Sequence, residues 1–312
     1  MIHVFIINNY AGNRGLAENL REHLETKRGL RYFVFNTVKA GYEKEIAHKL
    51  ERFFEGEKLR FYSCGGSGTM RNLLNGLKDL SNVEVAFFPC GLTNDFLKTF
   101  PEEELFQNID YLIEGTAVAV DYIKSNYGVA LNTLSFGLDS SVCEWTDKYR
   151  IYEFFGNLVP YVMSLLRGVL ISKPKGIKLS IDGVTTEKNY SEVVLGNGAV
   201  LGGNLFFTEN TSIVDGEASY FTLYDVHGIK MLRLILKVMN KQIKKLPSAS
   251  KGKACIGSCK TIDIESPDGS PLHINFDGEL VECGSKLHAE IVQTGLNFVI
   301  PRGVKVKEYR LK

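Results

Sequence analysis

The most informative segment of the chain is Leu59–Thr69, which reads LRFYSCGGSGT. Its first half is an apolar run of strand length, and its second half is a glycine-rich turn that leads into a helical pattern over Thr69–Leu77. Glycines let a backbone approach a ligand closely, and the start of a helix offers unpaired N–H groups at the positive end of its dipole. The turn Gly65–Thr69 therefore predicts a phosphate site, although such a turn also serves as a plain strand–helix connection. It matches neither the dinucleotide fingerprint nor the P-loop.

The chain on either side of this segment alternates between strand and helix patterns up to Val120. Strand-like runs lie at Val4–Ile7, Leu30–Phe35, Leu59–Ser63, Val83–Phe88 and Ala117–Val120. Helical patterns lie at Leu16–Thr26, Glu43–Phe54 and Thr69–Leu77. Alternation of this kind is typical of βαβ units, so we expect residues 1–121 to form a Rossmann-like α/β domain with a parallel sheet.

From Asp121 onward the pattern changes to short, β-branched or alternating runs. These lie at Gly128–Leu134, Ile177–Ile181, Glu192–Leu195, Ala218–Leu223, Thr261–Ile264, Leu272–Phe276 and Leu287–Val292. Several are separated by the turn pairs Asp182-Gly183, Asp268-Gly269 and Asp277-Gly278, which are typical of β-hairpins. We therefore expect an antiparallel β domain over residues 122–294, with helical stretches at Tyr149–Leu170 and Ile229–Lys244.

Composition limits the classes of protein and partner. The 312 residues are 44% hydrophobic and 23% charged, which suits a globular protein with two cores. The formal net charge of +1 gives no overall field for a nucleic acid, so no nucleic-acid partner is expected. The chain has six cysteines and no recognisable secretory signal, so free thiols in a reducing cytoplasm are expected. The longest apolar run, Leu158–Leu170, is interrupted and is too short to cross a bilayer.

Two further polar turns follow predicted strands. Asn8–Asn13 ends the first strand, and Pro89–Phe96 leaves the fourth. The carboxyl ends of parallel strands meet at one edge of a sheet, where ligands bind in α/β folds. One of Thr93, Asn94 and Asp95 could simply cap the next helix. Together with Gly65–Thr69, these loops predict a ligand crevice at that edge.

The loops also resemble, in order, motifs of the diacylglycerol kinase catalytic-domain family. Asn8–Gly12 is similar to the family's Asn-Pro-x-Ser/Ala-Gly, with Asn9 in place of the proline. Gly65–Thr69 and the following Asn75-Gly76-Leu77 resemble Gly-Gly-Asp-Gly-Thr…Asn-Gly-Leu. Pro89–Phe96 resembles Pro-x-Gly-Thr-x-Asn-Asp-Phe.

The resemblance continues through the second half of the chain. The matching residues are Asn132, Ser135, Gly137, Asp139, Gly196-Asn197, Gly202-Gly203, Asp215-Gly216 and Asp277-Gly278-Glu279. The matches keep the family's order from residue 8 to residue 279, so they cover nearly the whole chain.

This resemblance implies a kinase that uses ATP and Mg²⁺ to phosphorylate a hydroxyl of diacylglycerol or a related lipid. It implies an ATP-binding domain over residues 1–121, to which residues 295–312 return, and a lipid-binding β-sandwich over 122–294. The implied nucleotide-binding residues are Asn8, Gly12, Gly65, Gly66, Ser67, Gly68, Thr69, Gly91, Thr93, Asn94 and Asp95.

The same match selects acidic residues for the reaction centre and for the metal. Asp121 and Glu279 are the candidate catalytic carboxylates, and Asp215 is the candidate magnesium ligand. A cap or a salt bridge is the alternative role of Asp121. For Asp277 and Glu279 the alternative is a plain hairpin turn, because Asp-Gly is a turn pair in its own right.

Three positions depart from the family pattern. Ser67 stands where the family has its signature aspartate, Leu92 replaces a threonine, and Ser219 replaces a second acidic residue. A serine hydroxyl can bind phosphate but cannot neutralise a cation. Weak or altered activity is one reading of these changes. A regulatory protein that binds nucleotide or lipid without turnover is the alternative.

Two helical stretches are candidates for contact with lipid. Along Ile229–Lys245 the cations Lys230, Arg233, Lys237, Lys241 and Lys244 recur at intervals of three and four, beside a wide apolar arc. That face could dock on anionic headgroups or could simply be solvated. The apolar residues of Tyr149–Leu170 could line an acyl-chain pocket or belong to the core. We expect a cytoplasmic protein peripheral to the inner face of the membrane, and a homodimer stays open.

Overall fold

The computed structural model describes residues 1–9, 14–91, 94–149, 152, 159–202, 205–206, 212–239 and 245–304. The chain divides into two compact units. Unit 1 contains Met1–Tyr122, Ile213–Asp215 and Gln293–Lys312, and unit 2 contains Ile123–Ser212 and Gly216–Val292. The three-residue return at Ile213–Asp215 has no counterpart in the sequence expectations.

Unit 1 is built on a parallel sheet. Its strands are β1 (Ile2–Ile7), β2 (Tyr32–Asn36), β3 (Leu59–Gly65), β4 (Glu84–Pro89), the first part of β5 (Thr116–Ser125) and the end of β17 (Lys286–Ile300). The hydrogen-bonded order is β2-β1-β3-β4-β17, and each of these neighbours within unit 1 is parallel. The central strands β1 and β3 are buried throughout, as continuous apolar runs in a covered parallel sheet require.

The helices of unit 1 connect these strands. They are α1 (Arg14–Glu25), α2 (Tyr42–Phe53), α3 (Ser67–Leu74) and α4 (Ile109–Ile113), with short 3₁₀ helices at Asp95–Thr99 and Glu103–Gln107. Helix α3 begins two residues before the predicted start and ends three residues earlier. Phe96 and Phe106 on the 3₁₀ helices, and Phe100 directly after the first of them, pack their rings around Phe298 of β17. This aromatic group forms part of the core of unit 1.

Unit 2 is antiparallel. Its strands are the end of β5, β6 (Gly128–Ala130), β7 (Thr133–Gly137), β8 (Lys175–Ile181), β9 (Val184–Gly196), β10 (Val200–Leu201), β11 (Leu205–Phe206), β12 (Ala218–Tyr224), β13 (Ala254–Cys259), β14 (Thr261–Glu265), β15 (Leu272–Phe276), β16 (Glu279–Cys283) and the first part of β17. The main order is β16-β15-β7-β9-β8-β14-β17; off this path β12 pairs with β9, and β13 pairs with β12. The predicted fold class, a parallel α/β unit followed by an antiparallel β unit, is confirmed.

Two of the predicted hairpin turns are confirmed by backbone angles that favour them. Asp182 and Gly183 have φ values of 47° and 81° between β8 and β9. Asp277 and Gly278 have φ values of 52° and 89° between β15 and β16. Positive φ at both central residues matches the right-handed twist of the flanking strands. The single strand expected at Gly128–Leu134 was wrong, because the chain breaks there into β6 and β7.

The helices of unit 2 are α5 (Leu138–Tyr149), α6 (Val159–Ile171), α7 (Gly228–Met239) and α8 (Leu246–Ala249). Helices α5, α6 and α7 share a hydrophobic cluster that includes Val142, Val169 and Leu234. The helix predicted at Ile229–Lys244 is confirmed up to Met239, and residues 240–244 lie outside the described part of the chain. Within the described residues, no helix has the length and apolar character needed to cross a membrane.

Candidate functional site

Three loops meet at the carboxyl edge of the sheet in unit 1. The backbone N–H of Asn8 donates to the Cys64 carbonyl at 2.9 Å, at the point where β1 and β3 end. The N–H groups of Cys90 and Gly91 both donate to the Gly65 carbonyl, at 2.9 and 3.0 Å. The end of β1, the turn after β3 and the turn after β4 are therefore held side by side, as the strand order predicts.

Glycine is required where the second and third loops touch. A Cβ at Gly91 would collide with the Cα of Gly66, and a Cβ at Gly65 would collide with the side chain of Thr69. The backbones of the two turns thus approach each other closer than any residue with a side chain allows. Backbone atoms of both turns therefore meet at this contact.

Helix α3 starts at this rim. Its N-cap is Gly66, which makes no side-chain capping hydrogen bond to the helix. Ser67 and Thr69 in the first turn are buried, and the Nδ2 of Asn8 donates to the Oγ1 of Thr69 at 2.9 Å. The first turn of an α-helix presents N–H groups and a positive dipole end to an anion. The arrangement can therefore hold a phosphate group.

The turn after β4 contributes the polar side chains of Asn94 and Asp95. The Nδ2 of Asn94 donates to the Gly91 carbonyl at 3.1 Å, which shapes the turn, and Asp95 behind it is buried. Burial raises the pKa of the Cys90 thiol to about 12 and also raises the pKa of Cys64, so both thiols stay neutral at the strand ends. Gly12, Leu92 and Thr93, which the sequence places in these loops, lie outside the described residues.

Asp121 is fully buried at the middle of β5. Its backbone N–H donates to the Ile213 carbonyl at 2.7 Å, and its Oδ1 accepts the backbone N–H of Thr294 at 2.7 Å. Thr294 has a φ of 49°, a backbone conformation that a hydrogen-bonding partner helps to hold. In unit 1 the Asp121 carboxylate thus binds the backbone of β17, and its catalytic role stays a prediction.

Asp215 is exposed on the short return segment of unit 1. Among the described residues, no group of three or more His, Cys, Asp or Glu side chains is placed to share a metal ion. Since Mg²⁺ demands near-octahedral coordination, one carboxylate is not a complete site, and the role of Asp215 as a magnesium ligand stays a prediction.

In unit 2 the first acidic residue of the Asp-Gly-Glu motif organises the backbone. Asp277 is buried and accepts three backbone N–H groups, from Leu131 at 2.6 Å, Asn132 at 2.9 Å and Thr133 at 2.8 Å. These bonds hold the break between β6 and β7. Asp277 therefore fixes the chain path, in addition to forming the hairpin turn that the sequence predicts.

Glu279 has a different environment. It is the first residue of β16, opposite Phe276, and it is partly exposed. It lies directly after the Asp277-Gly278 turn, and its catalytic role stays a prediction.

Two asparagines of the resemblance are part of the same buried support. Asn132 Nδ2 donates to the Val200 carbonyl and Asn197 Nδ2 donates to the Leu131 carbonyl, each at 2.9 Å. The backbone N–H of Asn197 donates in turn to the Asn132 carbonyl at 2.8 Å. Both amides bind strand ends in unit 2, so the structure gives them a supporting role.

Asp139 at the start of α5 and Glu192 of β9 form a pair of acids, of which the sequence indicated only Asp139. The Asp139 carboxylate accepts hydrogen bonds from Ser135 and Asn275, and its backbone N–H donates to the Oε2 of buried Glu192 at 3.0 Å. Burial raises the pKa of both carboxyls, and the charge of Asp139 raises that of Glu192 further. Glu192 and Asn275 had no sequence signal, because both lie in strands far from α5 along the chain.

Comparisons with known proteins bear on this arrangement. Residues 3–125 match the model of the diacylglycerol kinase catalytic domain. The chain is 27% identical over 225 residues to a Staphylococcus epidermidis protein named "Putative lipid kinase", covering 70% of this chain and 69% of the relative. It is 36% identical over 203 residues to "Putative lipid kinase YtlR" of Bacillus subtilis, covering 59% of this chain and 64% of the relative.

A solved structure shares the fold. A protein from Bacillus anthracis str. Sterne, described as "a putative diacylglycerol kinase", superimposes with a TM-score of 0.75 at 22% identity, covering 97% of this chain and 96% of that one. The family resemblance inferred from the motifs is thus confirmed over residues 3–125, which match the diacylglycerol kinase catalytic domain.

Proposed function

We propose that this protein is an ATP-dependent lipid kinase that transfers a phosphoryl group to the hydroxyl of diacylglycerol or a related lipid. The observation that carries the proposal is the convergence in unit 1 of three loops on the glycine-capped start of α3. The family of residues 3–125 and the names of the relatives support the same class of reaction.

ATP would bind with its phosphates against the turn Gly65–Thr69. Phosphoryl transfer needs mainly positioning and neutralisation of charge, and backbone N–H groups at a helix start provide both without the motion of a side chain. The lack of a side chain at Gly91 lets the turn after β4 pack directly against Gly66 at the start of α3. Asn8, Asn94 and Asp95 border the same loops and complete the proposed nucleotide site.

The acceptor would be a lipid held by unit 2, with residues 1–121 and 122–294 as the proposed functional domains. The hydroxyl must lose a proton during transfer, and a positioned carboxylate is the usual base. Glu279 is our candidate because it is partly exposed at the edge of a hairpin. Asp121 stays the second candidate carboxylate, with one oxygen engaged by Thr294.

Mg²⁺ would be expected to accompany ATP in a kinase of this class. The described side chains do not build a magnesium site of their own, so any ion would be held chiefly by the nucleotide phosphates.

Ser67 marks the difference from the family pattern. Its hydroxyl lies buried in the first turn of α3, where an aspartate would add a negative charge. We expect Ser67→Asp to raise the rate of phosphoryl transfer in the presence of magnesium, because the carboxylate could bind the nucleotide's ion. Ser248→Asp, at an exposed position of α8, is the matched control and should leave the rate unchanged.

The test is an assay with γ-labelled ATP, magnesium and a panel of lipids that carry a free hydroxyl. Labelled lipid from the unmodified protein supports the proposal. ATP binding without labelled lipid, for both the unmodified protein and Ser67→Asp, would instead support a regulatory protein without turnover. A folded protein that binds no ATP would overturn the proposal as a whole.

A further inference from the structure

Helix α6 carries an apolar stripe on its outer face. Val162, Leu166 and Leu170 are exposed by 49%, 50% and 75%, and Ile171 beside them is exposed by 56%. A spacing of four residues places the first three one above another on a helix. Large aliphatic side chains grouped in this way on a surface helix mark a site of contact with another molecule or with a membrane.

The stripe is not the inward face of the helix. Val169 is buried in the cluster shared by α5, α6 and α7, and Tyr161 and Leu165 pack against that cluster. The described part of the apolar segment Tyr149–Leu170, which the sequence assigns either to the core or to a lipid pocket, therefore has a buried face and an exposed face. Tyr161 and Leu165 face the core, while Val162 and Leu166 face outward, and Phe154, Phe155 and Leu158 lie outside the described residues.

Aromatic and basic side chains border α6 on the α5 side. The rings of Trp145 and Tyr149 lie 5.9 Å apart, and those of Tyr149 and Tyr152 lie 6.1 Å apart. Arg167 of α6 stacks over Trp145 at 3.7 Å, and Lys148 lies 4.2 Å from the same ring. Trp, Tyr and long basic side chains are the residues that favour the boundary between headgroups and acyl chains.

The charged side chains of α6 and α7 are all basic. Residues 159–174 and 228–239 contain no Asp or Glu, and their five cations are Arg167, Lys173, Lys230, Arg233 and Lys237. Lys230 and Arg233 are exposed on α7, which packs on the cluster beneath α6. Ile229 and Leu236 on α7 are exposed as well. The acidic Glu144 on α5 is paired with Lys148. A positive surface with an apolar centre is complementary to anionic headgroups over acyl chains.

We propose that this surface, formed by Trp145, Val162, Leu166, Leu170, Lys230 and Arg233, docks the protein on an anionic phospholipid bilayer. The stripe of α6 enters the boundary of the acyl region, and the cations of α7 bind headgroup phosphates. The proposal rests on the proposed function in one respect, since a lipid kinase must reach a substrate that lies within a bilayer. Its physical test does not depend on turnover.

Trp145 is the only tryptophan of the chain, so its fluorescence reports on this surface directly. Vesicles of equal parts phosphatidylglycerol and phosphatidylcholine should shift its emission to shorter wavelength and should sediment with the protein. Vesicles of phosphatidylcholine alone should do neither to the same extent, and salt should weaken the binding to anionic vesicles. No shift and no co-sedimentation with the anionic vesicles would overturn the proposal.

Two pairs of substitutions locate the contact. Leu166→Ser with Leu170→Ser should weaken vesicle binding at least about tenfold, because two exposed apolar side chains no longer enter the boundary. Lys230→Gln with Arg233→Gln should weaken it by roughly tenfold or more, since each cation near an anionic surface contributes about 1 kcal/mol. All four positions are exposed, so the variants should unfold at the same temperature as the unmodified protein.

Matched controls remove aliphatic and basic side chains elsewhere on the surface. Val38→Ser with Val184→Ser removes two aliphatic groups that are exposed by 67% and 71%, and Lys49→Gln with Lys78→Gln removes two exposed cations of unit 1. Both control proteins should bind vesicles like the unmodified protein. Equal losses in control and test variants would overturn the assignment of the surface.

Two other occupants of the stripe would give distinct results. If a second copy of the chain covered it, light scattering would show a dimer that Leu166→Ser with Leu170→Ser dissociates, and this outcome would overturn the proposal. If the stripe bound only the acyl chain of a single lipid, that pair would reduce phosphorylation of a monomeric short-chain diacylglycerol, which would also overturn it. Bilayer docking predicts unchanged activity on the short-chain lipid and reduced activity on vesicles. A protein that binds vesicles but phosphorylates nothing would contradict the proposed function and leave the docking surface supported.

Discussion

The Nδ2 of Asn8 donates a hydrogen bond to the Oγ1 of Thr69 at 2.9 Å, which joins the end of β1 to the first turn of α3. The two residues are 61 positions apart in the chain, so this bond ties two loops of the proposed nucleotide site together. We expect Asn8→Ala with Thr69→Val to show a coupling of about 0.5–1.5 kcal/mol in the free energy of ATP binding.

A double-mutant cycle with isothermal titration checks this coupling. Asn9→Ala is the matched control for the first position, because Asn9 is exposed and its carboxamide oxygen accepts a hydrogen bond from Arg21 on α1. Additive effects of Asn8→Ala and Thr69→Val would show that the bond does not support the nucleotide site.

Glu279 is the residue on which the proposed proton transfer depends. Glu279→Gln keeps the size and polarity of the side chain but removes the base, so kcat should fall by about 10²–10⁴-fold with little change in the unfolding temperature. Glu282→Gln, on the same strand and exposed, is the control and should retain full activity. A Glu279→Gln enzyme with unchanged kcat would remove Glu279 from the mechanism.

Asp277 should be a determinant of stability. Asp277→Asn replaces a carboxylate that accepts three backbone N–H groups by an amide with a single acceptor oxygen, so at least one buried donor loses its partner. We expect the free energy of unfolding to fall by about 3 kcal/mol. Urea titration followed by circular dichroism measures it.

The chain offers a matched turn for comparison. Asp268 precedes Gly269 as Asp277 precedes Gly278, but Asp268 is exposed and bonds only within its own turn. Asp268→Asn should therefore change stability much less. Equal losses at the two positions would show that the contacts of Asp277 with residues 131–133 do not stabilise unit 2.

Asp139 at the start of α5 and the buried Glu192 of β9 predict a dependence of stability on pH. The pKa values of Asp139 and Glu192 are raised above their ordinary values of 3.8 and 4.5, chiefly by burial. The folded protein therefore keeps protons that the unfolded chain has already released. Their contribution to stability is complete below the ordinary values and is lost as the pH rises through the interval up to the raised values.

Urea titrations over a series of pH values test this sign. In Glu192→Gln the neutral amide cannot titrate, so the fall in stability with rising pH should be smaller than in the unmodified protein. Glu187→Gln, exposed on the same strand, should follow the unmodified protein. Identical pH profiles for all three proteins would contradict the assignment of a raised pKa to Glu192.

The sequence predicts the features that depend on neighbouring residues. The turn after β3 could be placed between a strand and a helix because a strand-like run in Leu59–Thr69 is followed directly by Gly65, Gly66 and Gly68. The hairpins at Asp182-Gly183 and Asp277-Gly278 could be predicted for the same reason, since their turn chemistry is local.

Features that depend on distant partners could not be predicted. The Asp277 carboxylate binds the backbone of Leu131, 146 positions earlier, and only the folded sheet brings them together. That contact holds the break between β6 and β7 at Asn132. Because nothing local in the sequence reveals the contact, a single strand was expected over Gly128–Leu134. Helix α6 is apolar on both faces, so periodicity alone could not separate the buried Val169 from the exposed Leu166.

The most direct test of the central claim is the transfer of labelled phosphate from ATP to diacylglycerol by the unmodified protein, Gly91→Ala and Gly176→Ala. A methyl group at Gly91 would collide with the Gly66 backbone, whereas at Gly176 it would only touch Asn189 at 3.5 Å. We expect labelled phosphatidic acid from the unmodified protein and Gly176→Ala, and at least a tenfold smaller rate from Gly91→Ala. Equal rates for the two variants, or no transfer to any hydroxyl lipid by the unmodified protein, would contradict it.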